Sequence, residues 1–230
     1  MTTISLETIP HLAEQFETRR AEELLEFAYA EFGAGIALAC SFGAEDVVLA
    51  HMAAGIRPGA RVFYLDTDFL FPETYAVRDR IAARYPLKLE IARTALTPAE
   101  QAARYGEALW TRHPDQCCEL RKVIPLREQL SGLAAWITDI RRDQAPTRAN
   151  TRKVEWDAKF GLVKFNPLAD WTWERVWEYI RAHDVPYNEL HDRNYPSVGC
   201  TYCTRPVLPG EDPRAGRWAG FQKTECGLHK

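Results

Sequence analysis

The spacing of apolar and polar residues predicts a chain in which helices and strands alternate. Apolar positions recur at helical spacing over residues 10–32. Short apolar runs of the length of buried strands follow at 36–40, 62–65, 87–91 and 134–138. Helices are predicted between these strands at 47–54, 72–85 and 98–105. We therefore predict an α/β fold with a doubly wound, mostly parallel sheet and helices on both faces.

The pattern changes beyond residue 150. Apolar segments at 154–156 and 162–165 are predicted to pair as a hairpin around Gly161, and a helix is predicted over 173–182. From residue 186 onward the chain is rich in loop-forming residues. In the preceding sheet, right-handed crossovers place the carboxyl ends of the strands on one edge, where such sheets bind ligands.

Size and composition limit the function classes. The chain has 230 residues, of which 46% are hydrophobic and 27% charged, as in an ordinary soluble domain. The net charge of -3 gives no indication of nucleic acid or membrane partners, and no apolar run could cross a bilayer. The first residues lack an apolar signal core, so we expect a cytoplasmic protein whose thiols stay reduced.

The segment 41–46, Ser-Phe-Gly-Ala-Glu-Asp, lies between a predicted strand and a predicted helix. Backbone N–H groups and the positive end of the helix dipole would face a ligand above such a junction, and Ser41 adds a hydroxyl donor. The Gly-Lys-Ser/Thr of a Walker A loop does not follow. A phosphate-binding loop and an ordinary N-capped turn are both compatible with this segment.

Two pairs of cysteines are placed as metal ligands often are. Cys117 and Cys118 are adjacent, and Cys200 and Cys203 form a Cys-x-x-Cys. Adjacent cysteines strain the backbone when both bind one tetrahedral zinc, whereas a [4Fe–4S] cluster offers separate irons to neighbouring thiolates. The cluster is favoured; zinc and reduced core thiols remain the alternatives.

A fifth cysteine, Cys226, lies near the C-terminus in Glu-Cys-Gly-Leu-His. The thiolate is the nucleophilic form of cysteine, and Lys223 and Lys230 would favour it while Glu225 would oppose it. Gly227 would let the tail move. The alternative is a surface cysteine without a role.

Taken together, these motifs resemble a known family. Ser-x-Gly-x-Glu-Asp, Cys-Cys-x-x-Arg-Lys, Cys-x-x-Cys and Glu-Cys-Gly-Leu-His occur here in the order found in the iron–sulfur-containing branch of the adenylyl-sulfate and phosphoadenylyl-sulfate reductases. The resemblance spans about residues 33–230. It implies an adenine nucleotide alpha hydrolase-like (PP-loop) fold with a flexible C-terminal catalytic tail. The single domain would comprise a helical segment (1–32), a nucleotide- and cluster-binding core (33–203), and an arginine loop with the tail (204–230).

The resemblance also implies roles for individual residues. Cys226 would be the nucleophile, and one [4Fe–4S] cluster per chain would bind Cys117, Cys118, Cys200 and Cys203. Lys122 would lie between cluster and substrate. The residues expected to bind substrate are Ser41, Phe42, Gly43, Ala44, Glu45, Leu65, Asp66, Thr67, Lys122, Arg142, Arg214, Arg217 and His229. Asp68 stands where the family has glycine, which puts the shape of that loop in doubt.

The function implied is thioredoxin-dependent reduction of adenylyl sulfate to sulfite and AMP in assimilatory sulfate reduction. An S-sulfocysteine on Cys226 would be the intermediate. The expected partners are adenylyl sulfate and reduced thioredoxin, with no nucleic acid and no membrane; a homo-oligomer is compatible with the sequence. Three alternatives stay open: a phosphoadenylyl-sulfate reductase, a non-catalytic iron–sulfur or zinc redox sensor, and an ATP pyrophosphatase that thiolates tRNA.

Overall fold

The computed structural model describes residues 4–221, 223 and 225–228, and these contain one six-stranded sheet. The strands are Ile36–Ala39 (β1), Arg61–Leu65 (β2), Lys88–Ala92 (β3), Ala135–Ile137 (β4), Val154–Asp157 (β5) and Leu162–Phe165 (β6). Their spatial order is β3-β2-β1-β4-β6-β5. All neighbouring pairs are parallel except β5 and β6, which form the antiparallel hairpin predicted around Gly161.

The helices fill the connections between the strands. The α-helices are Ile9–Phe16 (α1), Ala21–Phe32 (α2), Ala44–Ile56 (α3), Pro72–Arg84 (α4), Pro98–Tyr105 (α5), Leu109–Arg112 (α6), Pro114–Cys118 (α7), Ile124–Leu130 (α8) and Trp173–Ala182 (α9). A π-helical turn, Glu119–Val123, joins α7 to α8 without a break. Short 3-10 turns include Arg142–Gln144, Pro146–Arg148 and Thr201–Cys203.

Alternating strand residues bury the two faces of the sheet. Val62 and Tyr64 of β2 belong to the larger apolar cluster, which α2, α3, α4 and α9 cover. Phe63, between them, faces the smaller cluster, which α8 covers through Leu126 and Leu130. The predicted doubly wound sheet is therefore confirmed.

One predicted element is wrong. A single helix was expected over 10–32, but the chain forms α1 and α2 with a break between them. Arg20 has an extended backbone, and its N–H donates to the Glu23 carboxylate at 2.9 Å, which caps α2. The break is favoured by tertiary packing, because it lets α1 contact β5 at the edge of the sheet.

The order of the strands in the sheet creates a crevice at the carboxyl ends of the parallel strands. Strands β2 and β3 lie on one side of β1, whereas β4 lies on the other, so the connections after β1 and β4 diverge. Ligands of open α/β sheets bind at such a switch point. Within the described residues, no helix combines the length and apolar character needed to span a membrane.

Candidate active site

A cavity of about 680 Å³ opens at this switch point. The loops after β1, β2 and β4 line it, together with segments from the C-terminal region. Eleven of the residues predicted from the sequence line it: Ser41, Phe42, Gly43, Glu45, Leu65, Thr67, Lys122, Arg142, Arg214, Arg217 and Cys226. Most of the predicted substrate site and the predicted nucleophile therefore share one cavity.

The loop after β1 is closed by its own acidic residue. The Asp46 carboxylate accepts hydrogen bonds from Ser41 N (2.9 Å), Ser41 Oγ (2.7 Å) and Gly43 N (3.1 Å). Phe42 takes a left-handed backbone, φ 62°, and buries its ring against Tyr64. Three donors of this loop, Ser41 N, Ser41 Oγ and Gly43 N, are thus taken by Asp46. Ser41, Phe42 and Gly43 form a cavity wall more than an open anion nest.

A polar cluster on the other side of the crevice connects this loop to the region after β4. Arg141 Nε donates to Glu45 at 2.8 Å, and Gln144 Nε2 donates to the same carboxylate oxygen at 2.9 Å. Arg142, the arginine predicted to bind substrate, lines the cavity while its guanidinium contacts Glu17 and the Thr151 carbonyl. Arg142 therefore already has anionic and carbonyl partners in this structure.

Two carboxyl groups line the large cavity, the buried Asp46 and the partly buried Asp139. Burial raises the pKa of Asp46, and the negative charge of Asp139 raises it further. Burial likewise raises the pKa of Asp139, with a contribution from Glu45. Neither Asp46 nor Asp139 was predicted as a site residue. Asp139 carried a usable signal, since it directly follows the predicted fourth strand on the ligand-binding edge.

Two predicted substrate residues do not line the cavity. Ala44 is fully buried in the larger apolar cluster. The Asp66 side chain is bound by Tyr75 Oη (2.7 Å), Arg93 Nη2 (2.7 Å) and the N–H of Asp68 (3.0 Å). These contacts give Asp66 the turn-capping role that its position after a strand also allows. The predicted contact of His229 falls outside the described residues.

A second, smaller cavity adjoins the first and contains the two cysteine pairs. Cys117 and Cys118 end α7, and the Cys200–Cys203 segment is held against the loop after β2 by Thr201 N, which donates to the Phe69 carbonyl at 2.8 Å. All four thiols line this cavity. Residues 117 and 200 are far apart in sequence, so the tertiary fold brings the two pairs together.

Buried donors without partners also line the cysteine cavity. Arg121, in the π-helical turn, donates to Gln101 Oε1 (2.7 Å), Asp68 Oδ2 (2.6 Å) and the Thr67 carbonyl (3.1 Å). Its Nη2 atom is buried and has no hydrogen-bond partner among the described residues, and the same holds for Arg217 Nε. A buried unpaired donor is costly, so it favours an acceptor in this space.

The four thiols border one small cavity but are not arranged around a single ion. Among the described residues, no group of three or more His, Cys, Asp or Glu side chains is arranged to hold one metal ion. Burial raises the pKa of Cys117 to about 11 and that of Cys203 to about 12. A cation that binds these thiols must therefore displace their protons.

Lys122 connects the two cavities. It lines both, as do Arg217 and Trp218. Burial acts to lower the pKa of the Lys122 ammonium. The nearby thiols of Cys200, Cys226 and Cys118 outweigh burial and raise that pKa, because thiolate charge attracts the ammonium. Lys122 thus lies within electrostatic reach of Cys118, Cys200 and Cys226.

Asp68, which stands where the resemblance has glycine, takes a backbone conformation that glycine favours. Its backbone is left-handed, φ 58°, a conformation that aspartate tolerates better than most residues. Its carboxylate binds the buried Arg121 guanidinium at 2.6 Å. The departure from the expected motif therefore supplies a counter-charge next to the cysteine cavity.

The sequence of this protein matches a known domain family over the sheet, the loop after β1 and both cysteine pairs, whereas Arg214, Arg217 and Cys226 lie beyond the matched region. A profile of the phosphoadenosine phosphosulfate reductase domain matches residues 35–206, which is most of the chain. The chain belongs to this reductase family. The known members of the family therefore guide the interpretation of the cavity that contains Cys226.

Reductases from several organisms are similar over nearly the whole length. An adenosine 5'-phosphosulfate reductase of Halalkalibacterium halodurans is 49% identical over 96% of this chain and 96% of its own. A phosphoadenosine 5'-phosphosulfate reductase of Gloeobacter violaceus is 49% identical over 96% of this chain and 93% of its own. The crystal structure of a phosphoadenylyl-sulfate reductase from Candida auris, a phosphate complex, superposes with a TM-score of 0.77 at 29% identity, covering 88% of this chain and 98% of that one. The predicted reductase fold is confirmed.

The arginine loop of this reductase depends on a close backbone approach at Gly216. Arg205 N donates to the Gly216 carbonyl at 3.0 Å, and a Cβ on Gly216 would lie 2.2 Å from the Arg205 carbonyl oxygen. Because that oxygen belongs to the backbone, Gly216→Ala should lower the free energy of unfolding by about 1–3 kcal/mol. Urea denaturation measures this change.

A matched glycine provides the control for that experiment. Gly55 lies in α3, and a Cβ there would meet no atom within 4 Å. Gly55→Ala should raise the free energy of unfolding by about 0.5–1 kcal/mol, because alanine favours a helix. If Gly216→Ala were as stable as the wild type, the argument from close approach would be wrong.

Proposed function

We propose that this protein reduces adenylyl sulfate to sulfite and AMP with electrons from reduced thioredoxin. The proposal has its main support in the position of Cys226, which lines one cavity together with Lys122, Arg214 and Arg217. A nucleophilic thiol surrounded by cations suits an anionic electrophile. Curated relatives at 49% identity named as reductases of activated sulfate also support it.

Sulfite is released in two displacement steps on this proposal, and a third displacement regenerates the Cys226 thiol. The Cys226 thiolate attacks the sulfur atom of the sulfuryl group, and the bond from that sulfur to the phosphate oxygen breaks. AMP leaves with the bonding electron pair, and an S-sulfocysteine remains on the enzyme. A thioredoxin thiolate then attacks the Cys226 sulfur and releases sulfite. The second thioredoxin thiol resolves the mixed disulfide, so the thioredoxin dithiol supplies the two electrons.

The cations around the cavity stabilise charge on the oxygens of the transferred group. Charge develops on the leaving phosphate, as in phosphoryl transfer, so fixed cations lower the barrier by positioning and electrostatics. Arg214 and Arg217 lie on the loop before the tail, and Lys122 lies on the π-helical turn. Arginine suits contact with phosphate and sulfate oxygens because it offers several donors in a plane.

A [4Fe–4S] cluster is the proposed cofactor, with Cys117, Cys118, Cys200 and Cys203 as ligands. When bound, it supplies a buried anionic centre that acts on the substrate electrostatically, and it transfers no electrons to sulfur on this proposal. Lys122 and Arg217 line both cavities, so their positive charges would couple the cluster electrostatically to the substrate. Arg121 Nη2 is the donor available to the cluster side.

Adenylyl sulfate is favoured over its 3'-phosphorylated analogue because the four cluster cysteines are present. The 3'-phosphate would also need a further basic subsite, and an unpaired buried phosphate costs more than ~1.4 kcal/mol, a factor of about ten. We therefore expect kcat/KM for adenylyl sulfate to exceed that for phosphoadenylyl sulfate by at least about tenfold. Parallel sulfite assays of one preparation, with reduced thioredoxin, measure the ratio.

The ratio of the two kcat/KM values also distinguishes between the alternative functions. A ratio below one would favour the phosphoadenylyl-sulfate reductase, whose name a relative at 49% identity also carries. No sulfite from either nucleotide would contradict the proposed function and favour a redox-sensing module. AMP and pyrophosphate from ATP, with no turnover of activated sulfate, would favour a tRNA-thiolating enzyme.

A further inference from the structure

The residue next to the proposed nucleophile is held by a buried ion-pair cluster. The Glu225 side chain is only 5% exposed. Its carboxylate accepts from Arg148 Nε at 2.9 Å and from Arg148 Nη2 at 2.8 Å, one bond to each oxygen. Arg214 Nη2 lies 3.3 Å from the same carboxylate. Bidentate arginine–carboxylate pairs are among the strongest and most directional side-chain contacts.

The other described contacts of the tail are weaker anchors. Lys223 pairs with Asp115; the Lys223 side chain is buried, but that of Asp115 is 88% exposed, so solvent screens its carboxylate and weakens the pair. Lys159 donates to the Gly227 carbonyl, and Leu228 packs at the margin of the smaller apolar cluster. Glu225 therefore provides the buried, directional contact in the described part of the tail.

The charge on Glu225 is maintained despite its burial. Burial acts to raise the pKa of this carboxyl group, but the hydrogen bonds from Arg148 outweigh burial and hold the pKa below its usual value. The carboxylate is thus ionised at neutral pH and neutralised by arginine. Arg148 and Arg214 both contact this carboxylate and so balance its negative charge.

The contacts of Glu225 with Arg148 and Arg214, which we call the clamp, also restrict the position of the Cys226 thiol. Glu225, Arg148, Arg214 and Cys226 all line the large cavity. One peptide unit separates Glu225 from Cys226, so docking the carboxylate restricts the position of the sulfur atom to the same part of the cavity. Arg148 is itself fixed by Gln144 Oε1, which in turn accepts from the N–H of Arg141 at 3.0 Å. The clamp is therefore connected to the region after β4.

We propose that Glu225 is the positioning residue of the catalytic tail: its carboxylate docks into the Arg148–Arg214 pair and sets Cys226 over the substrate. The inference rests on the proposed function, in which Cys226 is the nucleophile. It assigns the clamp to the first step, where the thiolate must be aligned with the sulfuryl group. In the second step the tail must meet thioredoxin, so the clamp has no role there.

The variant Glu225→Gln tests this role because it keeps the size of the side chain and removes its charge. Glu211→Gln is the matched control, since Glu211 makes a bidentate pair with Arg205 at 2.8 and 2.9 Å in the same C-terminal region but outside the cavity. In Glu225→Gln, single-turnover formation of S-sulfocysteine should fall about 10- to 100-fold, because misplacing a reacting group by about 1 Å has effects of this size. Glu211→Gln should stay within about twofold of the wild type.

Two further measurements distinguish a positioning role of Glu225 from a merely structural one. The KM for adenylyl sulfate should not rise in Glu225→Gln, since the variant releases two arginines from a competing carboxylate. Release of sulfite by thioredoxin from a preformed S-sulfocysteine should stay at the wild-type rate. A rise in KM together with a loss of both steps would mean a merely structural role and would overturn the inference.

Amide hydrogen exchange of the C-terminal peptide tests docking without any substrate. Exchange over residues 225–228 should become faster in Glu225→Gln and remain unchanged in Glu211→Gln. Faster exchange without slower sulfonation, or slower sulfonation without faster exchange, would each overturn the inference. If the wild type forms no S-sulfocysteine, the proposed function fails, and exchange still decides whether the clamp holds the tail.

Discussion

A Cys226→Ser variant is expected to lose sulfite production by at least about a thousandfold. A serine hydroxyl is not ionised at neutral pH, and removing the nucleophile of a covalent mechanism eliminates both displacement steps. Folding should be unaffected, because the thiol is partly exposed in the large cavity and has no structural partner to lose among the described contacts. Thioredoxin-coupled assays with adenylyl sulfate measure the loss.

Mass spectrometry identifies which thiol carries the intermediate. Wild-type protein mixed with adenylyl sulfate in the absence of thioredoxin should gain the mass of one SO₃ group on the Cys226 peptide. Cys40 also lines the cavity and is the rival acceptor, although it is buried and burial raises the pKa of its thiol far above the usual value. An adduct on Cys40, or wild-type turnover by Cys226→Ser, would contradict the nucleophile assignment.

A Cys200→Ser variant is expected to lose most of its iron and its activity. Anaerobically purified wild-type protein should be brown and contain about four irons per chain, whereas the variant, with three thiol ligands left, should be pale. Cys200 contacts Thr67 Oγ1 at 3.4 Å and is buried, so serine fits the site in size. Iron analysis and visible absorption measure the loss, and activity should fall with it.

Two companion variants make the cluster experiment decisive. Cys203→Ser, in the more exposed position of the same motif, should give the same loss of iron and guards against a folding defect specific to Cys200. Cys40→Ala should keep its iron, because Cys40 lies in the core outside the cysteine cavity. A colourless wild-type protein with one zinc per chain would contradict the cluster.

Local sequence patterns predicted the elements well where the local signal and the tertiary environment agreed. The helix at residues 98–105 begins with Thr97 as its cap and Pro98 in its first turn, and the structure has these bounds. The helix at 173–182 is likewise confirmed with the same ends. The prediction of one helix over 10–32 was wrong. The apolar positions before and after residues 17–20 share one helical phase, but packing of α1 on β5 favours a break there.

The chemistry of the site was only partly predictable. Residue type and spacing indicated the paired cysteines and the reactive tail. Arg148, by contrast, has no distinguishing local pattern, and it gains its role by meeting Glu225, 77 residues later in the chain. The loop at 41–46 was compatible with a phosphate-binding loop and with an N-capped turn. In the structure Ser41 N and Gly43 N donate to the buried Asp46 carboxylate, because buried N–H groups pair with a nearby acceptor.

The sequence by itself determined the alternation of strands and helices, the grouping of the thiols and the family, since these depend on periodicity and on residue types close together in the chain. Tertiary structure alone decided that the two cysteine pairs share one cavity, that Lys122 faces both that cavity and Cys226, and that Glu225 is neutralised by Arg148. The physical reason is distance along the chain: charge and hydrogen-bond partners act over a few ångströms, and only folding brings such residues that close.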